Sequence, residues 1–432
     1  MNHNKFIRNI IVLISGTAGA QAIGILLSPL ITRIYSPEAL GVLGTFLAIQ
    51  TIVNPVASLS YPLAIVLPKA KSDAIRLVYL SILFSIISFI VMITLFNFFG
   101  AKIRTISGLN DANNIDILLP SAVLLSAFIA IMTQWINRNK IFAIKAKAVM
   151  LQSVVTNVLK VVVGLLYPSA LTLIAVTMIG YFAQVTSILY GFNKIKNKDL
   201  GEYEAKAKTK ADNEAKKYFY LIKRYRDFAQ YRTPQIALNA FSFGMPILLL
   251  ASYFGPAAAG FYSLARSILG LPLSLIGEAV SSVFYPRVNE AAQKKEDVSK
   301  LLIKSTCYMG LIGIAPFGII IVYGPYLFSK IFGAEWYIAG VYAQWMGLWL
   351  FSGFINRPAV AAIPVVNLQK KFLIIEVYSL VVRALGIFVG IIFFEDAIIT
   401  VSIFSVVSFF VNLIVISMVI TKSKDINKYI DN

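Results

Sequence analysis

The chain has 432 residues, 58% of them apolar and only 14% charged, with 39 lysines and arginines against 20 acids. A soluble domain carries about a quarter charged residues, and apolar runs of about 18 residues or more recur here from end to end, the composition of a polytopic membrane protein. Cys307 is the one cysteine and His3 the one histidine, which excludes an intramolecular disulfide, a His-anchored metal cluster, and catalysis by a His base or a Cys–His pair.

The N-terminus imitates a secretory signal, with Lys5 and Arg8, an apolar run, and small residues at Ala18, Ala20 and Ala22. The run continues to Ile31, long enough to span a bilayer, so it is expected to stay as the first span. Twelve spans are expected. The first six lie near 9–33, 39–66, 77–99, 117–136, 148–166 and 170–191. The second six lie near 234–254, 260–284, 305–328, 340–365, 372–394 and 397–420. In the first span Gly16, Ala20 and Gly24 recur every fourth residue, a small-residue face for a neighbouring helix. The stretch GTAGAQAIG lacks the spacing of a dinucleotide loop.

Between the first two spans, Pro29–Phe46 reads PLITRIYSPEALGVLGTF, and Tyr253–Ala265, YFGPAAAGFYSLA, echoes it. A shift of 219 residues sets Tyr35 on Phe254, Ser36 on Gly255, Pro37 on Pro256 and Gly41 on Gly260. A repeat at half the chain length predicts two like lobes, 1–192 and 233–432, joined by a linker over 193–232. Six spans precede that linker, so the second lobe enters the membrane in the same sense as the first. The expected fold is therefore an all-α membrane protein of two six-helix lobes related by a pseudo-two-fold axis along the membrane normal. Ser36 and Gly255 suit an N-cap, and Pro37 and Pro256 the first helical turn.

With the N-terminus inside, 31 of the 39 basic residues fall in cytoplasmic segments, and the clear outer set is Lys102, Arg104 and Lys330. That asymmetry predicts both termini in the cytoplasm, and its spread over short loops argues against nucleic acid. The linker holds twelve basic and six acidic residues. Its Tyr218–Arg232 part mixes aromatic, apolar and basic residues, the pattern of a segment lying on the inner membrane surface.

Five basic residues remain within or at the edges of spans: Arg33, Lys160, Arg266, Arg357 and Arg383. Only Glu278 and Glu376 clearly join them as carboxylates. A mid-helix charge costs about 2.5–3.5 kcal/mol on insertion scales, so such residues face a wet cavity or a partner. Arg33, near a span end, suits snorkelling to the outer interface, and Pro358 is expected to break span ten beside Arg357. Two acids cannot neutralise five bases, and the surplus calls for an anion; guanidinium matches phosphate through its planar fork of donors. Trp135, Tyr262, Trp345 and Tyr378 could stack on sugars, although interface anchoring and helix packing account for each equally well. Glu278 is the one deep carboxylate and the candidate for coupling to H+ or Na+; no other cofactor is expected.

The turn TRIYSPEALGVLGTF, its echo FGPAAAGFYSLARSILGLPLSLIGEAVSSVFYPR and the later FGAEW at Phe332–Trp336 resemble the polysaccharide-export flippases. These are the Wzx-type O-antigen transporters of the multidrug/oligosaccharidyl-lipid/polysaccharide superfamily. The resemblance spans nearly the whole chain. It implies a V-shaped fold with a cationic cavity between lobes, and transfer of an undecaprenyl-pyrophosphate-linked oligosaccharide from the inner to the outer leaflet of the bacterial cytoplasmic membrane. Arg357, Arg383, Arg266 and Lys160 would hold the pyrophosphate, with Arg33 at the outer gate. Implied partners are the lipid-linked substrate, membrane lipids, and the polysaccharide polymerase and chain-length machinery. Lipid II relatives carry two further helices, for which this chain has no room, and drug antiporters often place a carboxylate deep in the first span, which here has none. A cation-coupled drug or metabolite exporter is the alternative, and a glycan polymerase or glycosyltransferase a more distant one.

Overall fold

The structure is a computed structural model and describes residues 3–109, 114–194, 211–294, 296–366 and 368–430. The elements are α1 His3–Ile34, α2 Pro37–Ala57, α3 Lys71–Ser107, α4 Ile115–Asn139, α5 Phe142–Gly164, α6 Ala170–Lys194 and α7 Ala211–Arg224, followed by α8 Thr233–Phe254 and α9 Pro256–Gln293. The chain continues through α10 Val298–Phe332, α11 Tyr337–Ile355, α12 Arg357–Ala362, α13 Gln369–Val389 and α14 Ala397–Ile430. No strand occurs among the described residues. Eleven helical stretches in those residues are long and apolar enough to cross a membrane, and α9, 38 residues long, is the twelfth long helix. Each expected span thus falls on a helix. The polar middle of the linker, 195–210, lies outside the described residues.

The repeated turn starts a helix in both places, by different means. The Ser36 hydroxyl accepts the Ala39 N–H at 3.3 Å, with Pro37 next in line, so a side chain satisfies one of the orphan donors. Gly255 makes no side-chain cap and instead takes φ 86°, ψ 169°, with Pro256 following. Only glycine occupies that backbone region cheaply.

Contacts divide the chain into two compact units, 1–252 and 253–432. The division falls one long helix after the linker, because α8 packs on α2 and α3. A Cβ on Gly244 would stand 3.0 Å from Ile52 Cδ1, and the Thr233 hydroxyl donates to Ser60 Oγ at 3.0 Å. Gly108 ends α3 at φ 67° against the backbone of Ala251.

The first unit has a core of Ile31, Tyr35, Val42, Leu43, Phe46, Leu119 and Ile174. The small-residue face of α1 meets α5, where a Cβ on Gly16 would lie 2.7 Å from Ala146 Cβ and Ser153 Oγ donates to the Ala20 carbonyl at 2.6 Å. The second span was expected as one helix to residue 66, but α2 stops at Ala57. Leu59 and Ser60 follow at φ 49° and 52°, then a 3-10 turn over Tyr61–Val66. Pro62 has no N–H to continue an α-helix, and the serines offer competing local hydrogen bonds. Arg138, at the end of α4, donates to the carbonyls of Ile65 at 3.1 Å and Pro68 at 2.7 Å. Leu221 of α7 and the following Tyr225 are buried with Tyr61, Ile65 and Leu77. The linker segment expected on the membrane surface therefore commits one side to protein, and leaves Phe219 and Tyr220 exposed on the other.

The second unit packs Trp349 edge-on against Phe404 at 5.1 Å and Phe317 against Phe351 and Phe354. Span ten does break beside Arg357, with α11 ending at Ile355 and α12 opening on Arg357–Pro358. Ala359, Ala362 and Ile363 then pack with Val288, Leu302 and Val419.

Two substitutions separate backbone conformation from space. Gly255→Ala meets no atom within 4 Å and should cost only its positive-φ extended conformation, about 1–3 kcal/mol. Gly108→Ala adds a clash at 2.6 Å from the Ala251 carbonyl, so its total should reach about 2–5 kcal/mol. Thermal unfolding in detergent ranks the two. Arg138→Lys removes the fork that spans neighbouring carbonyls and should cost about 1.5–3 kcal/mol. Limited proteolysis between residues 58 and 70 should accelerate in that variant.

Candidate functional site

In the second unit, α9 and α13 bring polar side chains together inside an apolar bundle. Tyr262 and Arg266 are four residues apart on α9, so they share one face. Glu376, Ser379 and Arg383 recur on α13 at spacings of three and four, again one face. Arg383 is only 6% exposed and Tyr262 is fully enclosed. Tyr262 lies within electrostatic reach of both Arg266 and Arg383, and Glu376 within reach of Arg383. Neither Arg383 Nε nor the Tyr262 hydroxyl has a hydrogen-bond partner among the described residues, although both atoms are buried. A buried donor left unmatched costs about 1–3 kcal/mol, so the pair stands ready to bond a group from outside the chain.

Arg357 occupies a different level. Its Nε lies 2.8 Å from where a Cβ on Gly277 would be, which places the guanidinium against the backbone of α9. Gly277 is eleven residues beyond Arg266, about 16 Å along the helix. Beside Arg357, Asn412 of α14 donates to Ser352 Oγ at 2.9 Å, and Asn356 donates to Asn412 Oδ1 at 3.5 Å. Ser405 and Ser408 continue this neutral seam on α14, both fully buried with hydroxyls that have no partner among the described residues.

The other expected site residues are dispersed. Lys160 is half-buried on α5 of the first unit, where its carbonyl accepts the Tyr35 hydroxyl at 2.9 Å. Arg33 is exposed at the end of α1, as snorkelling requires. Trp345 is 38% and Tyr378 68% exposed, so neither shares the enclosed position of Tyr262. Trp135 is buried in the first unit's core. The side chain of Glu278 lies outside the described residues. The Asn356–Asn412–Ser352 seam escaped the sequence reading, which followed charge alone. Its signal was the spacing of Ser405, Ser408 and Asn412 on one helical face. No group of three metal-binding side chains occurs among the described residues.

The profile of the family described as polysaccharide biosynthesis protein matches residues 30–339. The chain belongs to that family. The match includes Arg33, Lys160, Tyr262 and Arg266 and ends before Arg357 and Arg383. Curated protein sequences gave no match. Among solved structures, an inward-facing multidrug resistance MATE family transporter of the MOP superfamily is similar, with a TM-score of 0.68 at 14% identity over 96% of this chain and 95% of that one. The lipid II flippase MurJ in an inward closed conformation matches with a TM-score of 0.62 at 15% identity, over 96% of this chain and 90% of that one. The family member thus has the MATE and MurJ fold.

Glu376 and Arg383, opposite charges within electrostatic reach of each other, give a stability test. Replacing both partners of such a pair by neutral groups of similar volume is often neutral or stabilising. The double variant Arg383→Met with Glu376→Gln should unfold at an equal or higher temperature than the native chain. Arg383→Met alone, which strands half-buried Glu376, should be the less stable of the two variants.

Proposed function

We propose that this polysaccharide biosynthesis family member flips an undecaprenyl-pyrophosphate-linked oligosaccharide across the cytoplasmic membrane by alternating access, supplying O-antigen, lipopolysaccharide or a related surface glycan. The observation that carries the proposal is Arg383, buried in a membrane-spanning section with an unmatched Nε, beside Arg266 and the unmatched hydroxyl of Tyr262. A pyrophosphate is a chemical match: it accepts several charge-assisted hydrogen bonds and neutralises two guanidinium groups. In this reading Arg266 and Arg383 take the pyrophosphate, Arg357 and Lys160 contribute elsewhere along its route, and Arg33 acts at the outer edge. Tyr262 is the sugar or phosphate contact at the cluster, while Trp345 and Tyr378 meet the glycan only where it passes their exposed rings. Both termini lie in the cytoplasm, by the bias of basic residues. The polymerase and chain-length machinery receive the product, and the protein itself makes and breaks no bonds.

A cation-coupled exporter is the second reading, favoured by the MATE-like fold, with Glu278 as its H+ or Na+ site. Like charge at Arg266 and Arg383 repels organic cations, which places the anionic lipid ahead.

At equal protein levels, Arg383→Ala and Arg266→Ala should each lower glycan export about tenfold or more, the equivalent of about 1.4 kcal/mol, whereas Arg33→Ala should lower it by a smaller factor. Export at the native rate by Arg383→Ala would remove the pyrophosphate role. Proteoliposomes with and without an imposed pH or Na+ gradient test the coupling.

A further inference from the structure

The first unit contains a cavity of about 280 Å³ with no charged or aromatic residue in its walls. One wall is the segment where α2 gives way to the 3-10 turn, carrying Asn54, Ser58 and Ser60. Another is a face of α4 where Ala127 and Ala130 leave room and Thr133 and Gln134 supply polar groups, and Ile236 of α8 adds an apolar contact. Leu59 and Ser60 hold left-handed backbone without being glycine, a strained arrangement that persists only when its surroundings over-determine it. Those surroundings are specific here. Thr233 bonds Ser60, the Tyr61 hydroxyl donates to the Ile222 carbonyl at 3.3 Å, and Arg138 holds the carbonyls that follow.

The hydrogen bonding fixes what the cavity offers. Asn54 Oδ1 accepts from the Ser126 hydroxyl, and Gln134 Oε1 accepts from Asn137 Nδ2 at 3.2 Å. Both amides thus engage their oxygen ends and leave N–H donors for another partner. The cavity holds no charged side chain to compensate an ion and no aromatic wall, so a neutral polar ligand suits it best. Neutral donors and hydroxyls beside Pro55, Pro62 and Leu63 match a sugar ring, whose hydroxyls bond and whose C–H faces pack. The volume is just under the range of about 300–1,000 Å³ typical of drug-sized ligands, which suits one monosaccharide unit.

We propose that this cavity is a subsite for one uncharged sugar residue of the glycan, bound through the amides of Asn54 and Gln134 and the hydroxyls of Ser58 and Thr133. The proposal rests on the flippase reading for its source of sugar. The cavity lies toward the end of the first unit that carries Lys69, Lys71 and Arg138, the end assigned to the cytoplasm, so it engages the glycan as it is loaded.

The test uses the full chain in detergent, with Cys307→Ser and a reporter thiol introduced by Ala130→Cys. Ala130 is exposed to the cavity's solvent side. Labelling by a small maleimide is timed with glucose, galactose or N-acetylglucosamine at about 50 mM, with glycerol as control, and with inorganic pyrophosphate. At least one sugar should slow labelling about threefold, as half-saturation at tens of millimolar allows, while glycerol and pyrophosphate have no effect. Asn54→Leu with Gln134→Leu should abolish the protection. In case that pair disturbs folding, Ala130→Leu with the reporter moved to Ile236→Cys, another lining residue, fills the cavity without touching any proposed sugar contact and should abolish the protection seen with the Ile236→Cys reporter alone. Equal labelling rates with every sugar, protection that survives both variants, or protection by pyrophosphate alone would each overturn the subsite. Sugar protection alongside native export by Arg383→Ala would sink the pyrophosphate reading and leave the subsite standing.

Discussion

Hydrocarbon offers no hydrogen-bond partner to a peptide group, and the whole chain is arranged around that constraint. Long helices satisfy it by default. The informative places are the two where a helix stops inside its span and other groups must take over. At the end of α2, the Leu59 and Ser60 N–H groups turn back to the Val56 and Pro55 carbonyls, and Arg138 caps the carbonyls beyond the 3-10 turn. At the α11–α12 junction, the Asn356 N–H still reaches the Ser352 carbonyl and its own carbonyl accepts from Val360, while its side chain joins Asn412. Each break is therefore lined with polar side chains that an unbroken helix would not need. In a membrane, those same side chains are where a polar cargo finds partners.

The helices were legible because apolar runs of the right length are a direct consequence of bilayer thickness. The starts of α2 and α9 were legible too, since Ser36–Pro37 and Gly255–Pro256 have few other uses. The end of α2 was not. Residues 57–66, ASLSYPLAIV, are as apolar as the helix before them, and hydropathy does not distinguish an α-helix from a 3-10 turn. Only the serines and Pro62 marked the change. Arg138 was counted as a loop charge, because a charge count reports the side of the membrane and not the partner. Leu221 and Tyr225 looked like one face of a surface helix, and the contact that buries them on Tyr61 depends on residues more than 150 positions away. For the site, the depth of Arg383 in its span was readable. That Tyr262 and Arg266 share its neighbourhood while Arg357 does not depends on how α9, α11 and α13 are rotated against one another, which packing decides.

Duplication explains the scaffold better than it explains the chemistry. The paired turn keeps its proline and its following glycine, yet one copy caps with a side chain and the other with a positive-φ extended backbone. The divergence extends inward. Arg266 and Arg383 have no basic counterparts in the first half at the register of the repeat, where Leu47 and Gly164 stand opposite them, whereas Arg357 falls on Arg138. The Asn356–Asn412 seam lies in the second unit, its two asparagines falling on Asn137 and Asn193 of the first, and the cavity beside Asn54 lies in the first unit.

The enclosed guanidinium of Arg383 in the second unit and the neutral amides beside Asn54 in the first are two kinds of polarity, at different energetic cost. A guanidinium held in a bundle is expensive, and Glu376 and Tyr262 offset only part of that cost for Arg383, whose Nε stays unmatched. Such a group is worth keeping only if its partner arrives from outside and brings compensating charge. Amides and hydroxyls cost far less to bury and are half-satisfied already, as Asn54 and Gln134 are by Ser126 and Asn137. They select by geometry rather than by charge. A lipid-linked glycan presents both demands in one molecule, a dianionic bridge and a train of neutral rings. A chain that meets the first demand with guanidinium groups in one unit and the second with neutral donors in the other separates the two kinds of recognition in space. On the flippase proposal and the proposed sugar subsite, affinity for the charged bridge, common to every such lipid, would reside in one unit. Discrimination among glycans would reside in the other, where a single amide exchanged for an alkyl group would change which sugar fits without disturbing the charges.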